Sequence, residues 1–132
     1  MDDRVRSFLE HHHSAVMATI KKDGQPHVAR ISCGLVDGKL WSSGSQTRAR
    51  TRFLRRDPRA TLFVFGGRDA QAWMGLECKV TILDGPEAVD QNLALYRSLA
   101  GEPSDLEEYR AAMVSEQRLI YEFEITRAYG QY

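Results

Sequence analysis

The chain has 132 residues and a mass of 15.0 kDa, which is the size of one domain. Its 18 basic and 18 acidic residues give a formal charge of zero, which argues against a protein that coats nucleic acid, because such proteins carry a clear basic excess. The apolar fraction of 42% and the charged fraction of 27% argue against a disordered chain. Of the basic residues, 14 are Arg and four are Lys. Genome base composition can produce this bias, but it also suits two-point contacts to phosphate or carboxylate.

The first half of the chain predicts one helix and three strands. Residues 5–12 place apolar side chains three and four positions apart, which is typical of an amphipathic helix. Residues 14–20, 27–35 and 39–43 are predicted strands, because Asp-Gly steps after residues 22 and 36 mark tight hairpin turns. This order predicts a β-meander.

The second half adds three more strands and further helices. The predicted elements are, in chain order, a helix over 47–57, a strand over 60–65, a polar loop over 66–71, a strand over 72–83, helices over 86–100 and 105–114, and a strand over 119–125. We therefore expect a mostly β fold, a six-stranded antiparallel barrel with peripheral helices, as a single domain over residues 1–132.

The cellular location and the redox state follow from simple patterns. The N-terminus is charged, and the longest apolar run, residues 62–65, is far shorter than the roughly 18 residues that cross a bilayer. Cys33 and Cys78 match neither a metal-binding pair nor a secreted disulfide framework, so we expect buried free thiols. These patterns predict a cytoplasmic protein that does not contact a membrane.

The most informative segment contains six Arg residues between positions 48 and 59. A loop of small and hydroxyl residues precedes the predicted helix, whose free N–H groups and dipole favour an anion. Arg50 is three and four residues from Phe53 and Leu54, the apolar anchors of this helix, so it should lie near the protein body. We interpret Arg48 and Arg50 as a phosphate or polyanion site. The remaining four are predicted to form a solvated face: Arg52, Arg55, Arg56 and Arg59.

Other candidate sites are weaker. His11, His12 and His13 resemble a metal tract, but adjacent helical residues point about 100° apart, so they are interpreted as helix-end histidines and no metal site is predicted. Ser32 and Ser43 lack the context of a nucleophile elbow, and no glycine-rich phosphate loop follows a strand. No catalytic residue is assigned.

The order of the elements resembles a known family. The segments "AVMATI", "KDGQPHVARI", "GKLWSSGS", "TRARTRFLRRDPRATLFVF" and "WMGLECKVTIL" are similar to the split β-barrel flavin-binding proteins of the pyridoxamine 5'-phosphate oxidase-like superfamily. The motifs "DG-P-HV" and "L-R-DPR-A" most resemble its branch that uses the deazaflavin coenzyme F420. The resemblance covers residues 4–129.

This resemblance implies a homodimer with the cofactor in a groove between the subunits, its phosphate held at the start of the helix after the third strand. The Arg-Lys pair of the family falls on Ala49 and Arg50, so its first member is missing and Arg48 stands one residue earlier. The other implied cofactor contacts are Arg30, Ile31, Ser32 and Cys33 along the ring system, Ser43 and Gly44 after the third strand, and Trp73 on the fifth strand. Read from the sequence alone, Trp73 fits either the core or a site beside a flat cofactor.

The leading hypothesis is an oxidoreductase that uses reduced F420 to transfer hydride to a small unsaturated organic substrate. The protein then positions a cofactor that carries the chemistry, which suits a chain without a recognisable acid–base pair. An FMN-binding oxidoreductase of the same superfamily is the nearest alternative, and a non-catalytic cofactor carrier or sensor is another. A nucleic-acid-binding barrel is a distant third class, given the neutral charge, and no nucleic-acid partner is expected.

Overall fold

The computed structural model describes residues 1–68 and 71–132. These residues form a curled antiparallel sheet with helices around it. The elements, in chain order, are α1 (Asp3–His11), β1 (Ser14–Ile20), β2 (Pro26–Ser32), β3 (Gly34–Val36), β4 (Lys39–Ser45), α2 (Ala49–Arg56), β5 (Arg59–Phe65), β6 (Trp73–Leu83), α3 (Ala88–Ala100), α4 (Leu106–Ser115) and β7 (Arg118–Gln131). The mostly β, antiparallel architecture with peripheral helices is as predicted.

The prediction of six strands is wrong, because the sheet of the described residues has seven, in the order β2-β1-β5-β6-β7-β4-β3. The predicted strand over 27–35 is two strands, β2 and β3, which lie at opposite edges of the sheet. The sheet curls so far that its ends approach, and the Ser42 hydroxyl donates to the Ser32 carbonyl at 2.7 Å. Cys33 therefore carries the chain from one edge to the other, and a single predicted strand cannot describe both.

Several element boundaries also differ from the prediction. The last strand extends to Gln131 instead of residue 125, because β7 pairs with β6 over residues 120–131 and with β4 on its other side. The helix predicted over 47–57 is the shorter α2. The predicted loop over 66–71 includes residues 69 and 70, which lie outside the described residues.

The core lies inside the curled sheet and under α1. Leu9, Met17, Leu62 and Leu76 are each at most 1% exposed, and burial of such a side chain contributes about 1.5–3 kcal/mol. The thiols of Cys33 and Cys78 are buried and free, as predicted. Burial raises the pKa of both thiols to about 12.

The outer face of the same sheet is unusually apolar. One row crosses five strands, with paired residues Arg30, Val16, Phe63, Gly75 and Tyr129 on β2, β1, β5, β6 and β7. Strand alternation directs Phe63 away from the core, and it is 40% exposed. Phe65 on β5 and Val28 on β2 are also exposed, at 44% and 64%. An apolar face of this kind marks an interaction surface.

Candidate functional site

The N-terminus of α2 has the features of an anion site. Its N-cap, Arg48, has extended backbone angles and makes no side-chain cap, and no acidic residue lies in the first turn. Among the described residues, the N–H groups of Ala49 and Arg50 have no backbone acceptor outside the helix. Unpaired N–H groups and the positive end of the helix dipole together attract an anion.

Buried contacts fix the position of this helix end. The Thr51 hydroxyl, 1% exposed, donates to the Ser45 carbonyl at 2.7 Å and accepts a hydrogen bond from the Tyr121 hydroxyl. Gly44 packs directly on the Tyr121 ring, so a Cβ at Gly44 would overlap that ring. Residue 44 must therefore be small for α2 to begin where it does. No local pattern indicates the roles of Thr51 and Tyr121, because their contact joins a helix and a strand 70 positions apart.

Arg50 lies against the protein body, as its spacing from the apolar anchors predicts. The side chain is half-buried, and its Nε atom is fully buried with no hydrogen-bond partner in the described part of the chain. Buried donors are rarely left unpaired, because the lost hydration costs about 1–3 kcal/mol. A ligand anion at this position would pair that donor.

His27 is a second unpaired group beside α2, and sequence reasoning missed it. Its ring contacts Phe53 at 5.3 Å between centroids, and its buried Nδ1 atom also has no partner among the described residues. Phe53 and Arg50 are three residues apart and share a helix face. The inward alternation of His27, Ala29 and Ile31 on β2 is the pattern that would have indicated it.

The arginines that follow are bonded to the protein. Arg55 pairs with Asp84 at 2.9 Å, and Arg56 donates to the Ile20 carbonyl at 2.6 Å. Arg59 makes two side-chain hydrogen bonds and one backbone hydrogen bond to the Asp57 carboxylate, and they lower the pKa of Asp57 to about 2. Arg55 likewise lowers the pKa of Asp84. Arg52 is exposed, as predicted, but makes no ion pair within residues 1–68 and 71–132.

Of the four implied contacts on and after β2, two are exposed and two are buried. Arg30 and Ser32 are exposed on the outer face, whereas Ile31 is 6% exposed and Cys33 is fully buried. The backbone of Cys33 is also occupied, since its N–H donates to the His13 carbonyl at 2.8 Å. Of these four residues, only Arg30 and Ser32 therefore place their side chains on the outer face.

Trp73 lies on the same outer face as Arg30, not in the core. It is half-buried and stacks on Phe63 with 5.2 Å between ring centroids and an interplanar angle of 6°. The Trp73 and Tyr129 rings are nearly perpendicular, with 6.0 Å between their centroids. The face thus combines a flat aromatic surface with a cation.

Ser43 lies apart from this face. Its hydroxyl donates to Oδ1 of the buried Asn92 on α3, and it borders a groove of about 490 Å³ between α3 and α4. Arg30 borders a different groove, next to α1. The structure thus brings Arg30, Ser32 and Trp73 onto one face, places Arg48 and Arg50 at the α2 terminus, and gives Ser43 and Gly44 contacts inside the protein.

The sequence matches the family described as pyridoxamine 5'-phosphate oxidase over residues 1–132. The chain belongs to this family. A conserved hypothetical protein from Mycobacterium tuberculosis aligns with a TM-score of 0.79 and 23% identity, covering 97% of this chain and 82% of that one. A protein named F420 reductase aligns with a TM-score of 0.76 and 20% identity, covering 96% of both chains. A putative pyridoxamine 5'-phosphate oxidase from Listeria innocua aligns with a TM-score of 0.72 and 15% identity, covering 97% and 95%.

Two further observations concern this family member. Within residues 1–68 and 71–132, no cluster of three or more His, Cys, Asp or Glu side chains is placed to hold a metal ion. Across the same residues, no helix combines the length and the apolar character that crossing a bilayer requires.

Proposed function

We propose that this protein is an oxidoreductase that binds a flavin-type cofactor, with the cofactor phosphate at the N-terminus of α2. The observation that carries the proposal is the buried Nε of Arg50, which has no partner in the described part of the chain, beside a helix terminus without a side-chain cap. A phosphate accepts hydrogen bonds from both kinds of donor, and a guanidinium binds it with planar geometry. Arg48, one residue before Ala49, adds the charge that the missing member of the family's pair would supply.

The outer face supplies the surface for the ring system. Arg30 and Ser32 present polar side chains there, and Trp73 presents an aromatic one. Ile31 and Cys33 act through the shape of the strand, since their side chains face inward, and Ser43 and Gly44 act by positioning α3 and α2. The bound cofactor supplies hydride transfer to an unsaturated organic substrate, while the chain binds and orients both molecules.

Coenzyme F420 is our first choice of cofactor, and FMN is the alternative. The oligoglutamate tail of F420 needs cations beyond the phosphate site. Arg55 and Arg56 already bond to the protein, which leaves exposed Arg52 for that role. The F420 reductase with the same fold supports this choice.

The proposed cofactor site lies between two subunits of a homodimer. The outer face carries exposed apolar side chains, among them Phe63 at 40% and Val28 at 64% exposure, and these are the side chains that a second copy would cover. Phe63→Glu should therefore give a monomer in sedimentation velocity. Val114→Glu, on α4 with 66% exposure, should leave the dimer intact. A monomeric wild-type protein would contradict the dimer.

Cofactor titration tests the proposal directly. Purified protein is titrated with F420 and with FMN while the fluorescence of each is followed, for the wild type and for Arg52→Ala. We expect micromolar or tighter binding of F420 and a loss of affinity in Arg52→Ala for F420 but not for FMN. Tight FMN binding without F420 binding would establish the alternative, and binding of neither would overturn the proposal.

Turnover separates an enzyme from a carrier. Reduced cofactor bound to the protein is mixed in stopped flow with quinones, enones and tetrapyrroles, and its oxidation is compared with the rate in free solution. Acceleration with at least one substrate class is expected. Tight binding with no acceleration for any of them would identify a non-catalytic cofactor carrier or sensor.

A further inference from the structure

A groove of about 510 Å³ lies between the end of α1 and the strands β1, β2 and β5. Its volume is in the range of small-molecule sites. The walls combine three imidazoles with one guanidinium and apolar surface: His11, His12, His13, Arg30, Val16 and Phe65. The histidine tract, predicted to be a helix end, does end α1, but it also lines this groove.

Backbone carbonyls orient two of the imidazoles. His11 Nδ1 is 2.7 Å from the Ser7 carbonyl, and His13 Nδ1 is 3.0 Å from the Cys33 carbonyl. A carbonyl oxygen only accepts, so both Nδ1 atoms carry the proton and donate it. Each ring therefore keeps its Nε2 atom for another partner. The His12 ring instead packs on the Phe8 ring, with 4.4 Å between their centroids.

Arg30 is the cation of the groove, and it is nearly free. Its contact within the described residues is a long hydrogen bond of 3.4 Å to the Ser14 hydroxyl, and it makes no ion pair there. None of the described residues that line the groove carries a carboxylate. An exposed guanidinium with no counterion among residues 1–68 and 71–132, in the same groove as the 44% exposed ring of Phe65, suits a carboxylate attached to a flat skeleton.

We propose that this groove binds the substrate of the proposed oxidoreductase, and that the substrate is an unsaturated or aromatic carboxylic acid. Arg30 binds the carboxylate, Phe65 and Val16 contact the flat skeleton, and His13 Nε2 hydrogen-bonds a polar group of the ligand. The inference rests on the proposed function, since it assigns a substrate class to the face that would carry the cofactor ring. It gives the histidine tract a binding role.

The first test compares a charged probe with its neutral analogue. Cofactor-free protein is titrated calorimetrically with 2-naphthoate and with 2-naphthamide, which share the same ring system. We expect the acid to bind roughly tenfold more tightly than the amide, because a charge-assisted contact is about twice as strong as a neutral one. Equal affinity for the two probes would overturn the proposal.

Variants then locate the contact. Arg30→Ala should remove the preference for the acid and leave the amide affinity unchanged within twofold. Arg127→Ala, on the same face but paired with Glu77, should retain the preference. His13→Asn keeps a donor for the Cys33 carbonyl but removes the Nε2 acceptor. Because 2-naphthoate has no donor for that acceptor, its affinity should stay within twofold of the wild type. An Arg30→Ala protein that keeps the full preference would contradict the assignment.

The cofactor titration distinguishes a failure of the groove assignment from a failure of the proposed function. Arg50→Ala should weaken F420 and FMN but leave naphthoate binding to the cofactor-free protein unchanged. If neither cofactor binds the wild type while naphthoate binds through Arg30, the groove is an anion site and the proposed function fails. If a cofactor binds and naphthoate does not, the groove assignment alone fails.

Discussion

The six arginines between positions 48 and 59 form two groups of three with opposite surroundings. Arg55, Arg56 and Arg59 are bonded to Asp84, a backbone carbonyl and Asp57. The other three, Arg48, Arg50 and Arg52, make no hydrogen bond or ion pair through their side chains within the described residues.

Position along the helix explains this difference. Arg55 and Arg56 lie in the last turn of α2, where cations favourably meet the negative end of the helix dipole, and Arg59 follows on β5 beside Asp57. The unbonded group lies at the positive end, where cations are electrostatically unfavourable without an anion. The first group bonds to the protein, and the second is the group to which we assign the ligand.

The largest expected effect comes from disturbing the helix end itself. Gly44→Ala places a methyl group into the Tyr121 ring and should destabilise the protein by about 3 kcal/mol, measured by urea unfolding. Cofactor affinity should fall with it, because Thr51 and the α2 terminus move. Gly85→Ala is the matched control, since the atom nearest to its added Cβ is the flexible end of Glu87. Equal stability of the two variants would show that Gly44 does not position α2.

Arg50→Ala tests the ligand-facing group. It should weaken cofactor binding by about 2 kcal/mol, roughly 30-fold, which is the value of a charge-assisted hydrogen bond. The free energy of unfolding should change by less than about 1 kcal/mol, because the variant also removes an unpaired buried donor. Fluorescence titration and urea unfolding measure the two quantities. An unchanged dissociation constant would remove Arg50 from the site.

Arg55→Ala should show the opposite behaviour. The Arg55 and Asp84 side chains are 45% and 40% exposed, so solvent screens the pair and its loss should cost only about 0.5 kcal/mol of stability. Cofactor affinity should stay within twofold of the wild type. A large loss of affinity in this variant would erase the distinction between the two groups.

The smallest effect concerns the pH dependence of the Arg59–Asp57 pair. The pKa of Asp57 falls from its ordinary 3.8 to about 2, so the pair stabilises the folded protein above pH 4 and this contribution disappears as the pH falls towards 2. The stability difference between wild type and Arg59→Ala should shrink over that window. A difference that stays constant from pH 5 to 2 would contradict the assignment.

Local patterns predicted the parts of the fold that depend on neighbouring residues. The Asp-Gly turns, the alternation within strands and the helix spacing of Arg50 with Phe53 gave the elements and the inward position of Arg50. The split at Cys33 was not predictable, because it depends on two distant sheet edges meeting. The outward direction of Phe63 and Phe65 was not predictable, because residues 62–65 form one apolar run without polar alternation.

In the candidate site, too, only the features that depend on neighbouring residues were predictable. Helix-terminus chemistry indicated Arg48 and Arg50 from the sequence, and both lie at the α2 terminus. The pairing of Arg55 with Asp84 joins residues 29 positions apart, so no local pattern separates Arg55 from Arg52. The place of His27 beside α2 depends on its contact with Phe53, 26 positions along the chain, which no local pattern indicates.

The place of β7 in the sheet has a consequence for synthesis on the ribosome. β7 is synthesised after β4 and β6, yet it lies between them and joins the β3–β4 hairpin to the rest of the described sheet. A nascent chain that lacks residues 118–131 can pair β2, β1, β5 and β6, but its β3–β4 hairpin has no strand to pair with. The Tyr121 hydroxyl that holds Thr51 arrives with the same strand. The contact that holds the N-terminus of α2 therefore forms only after β7 has been synthesised.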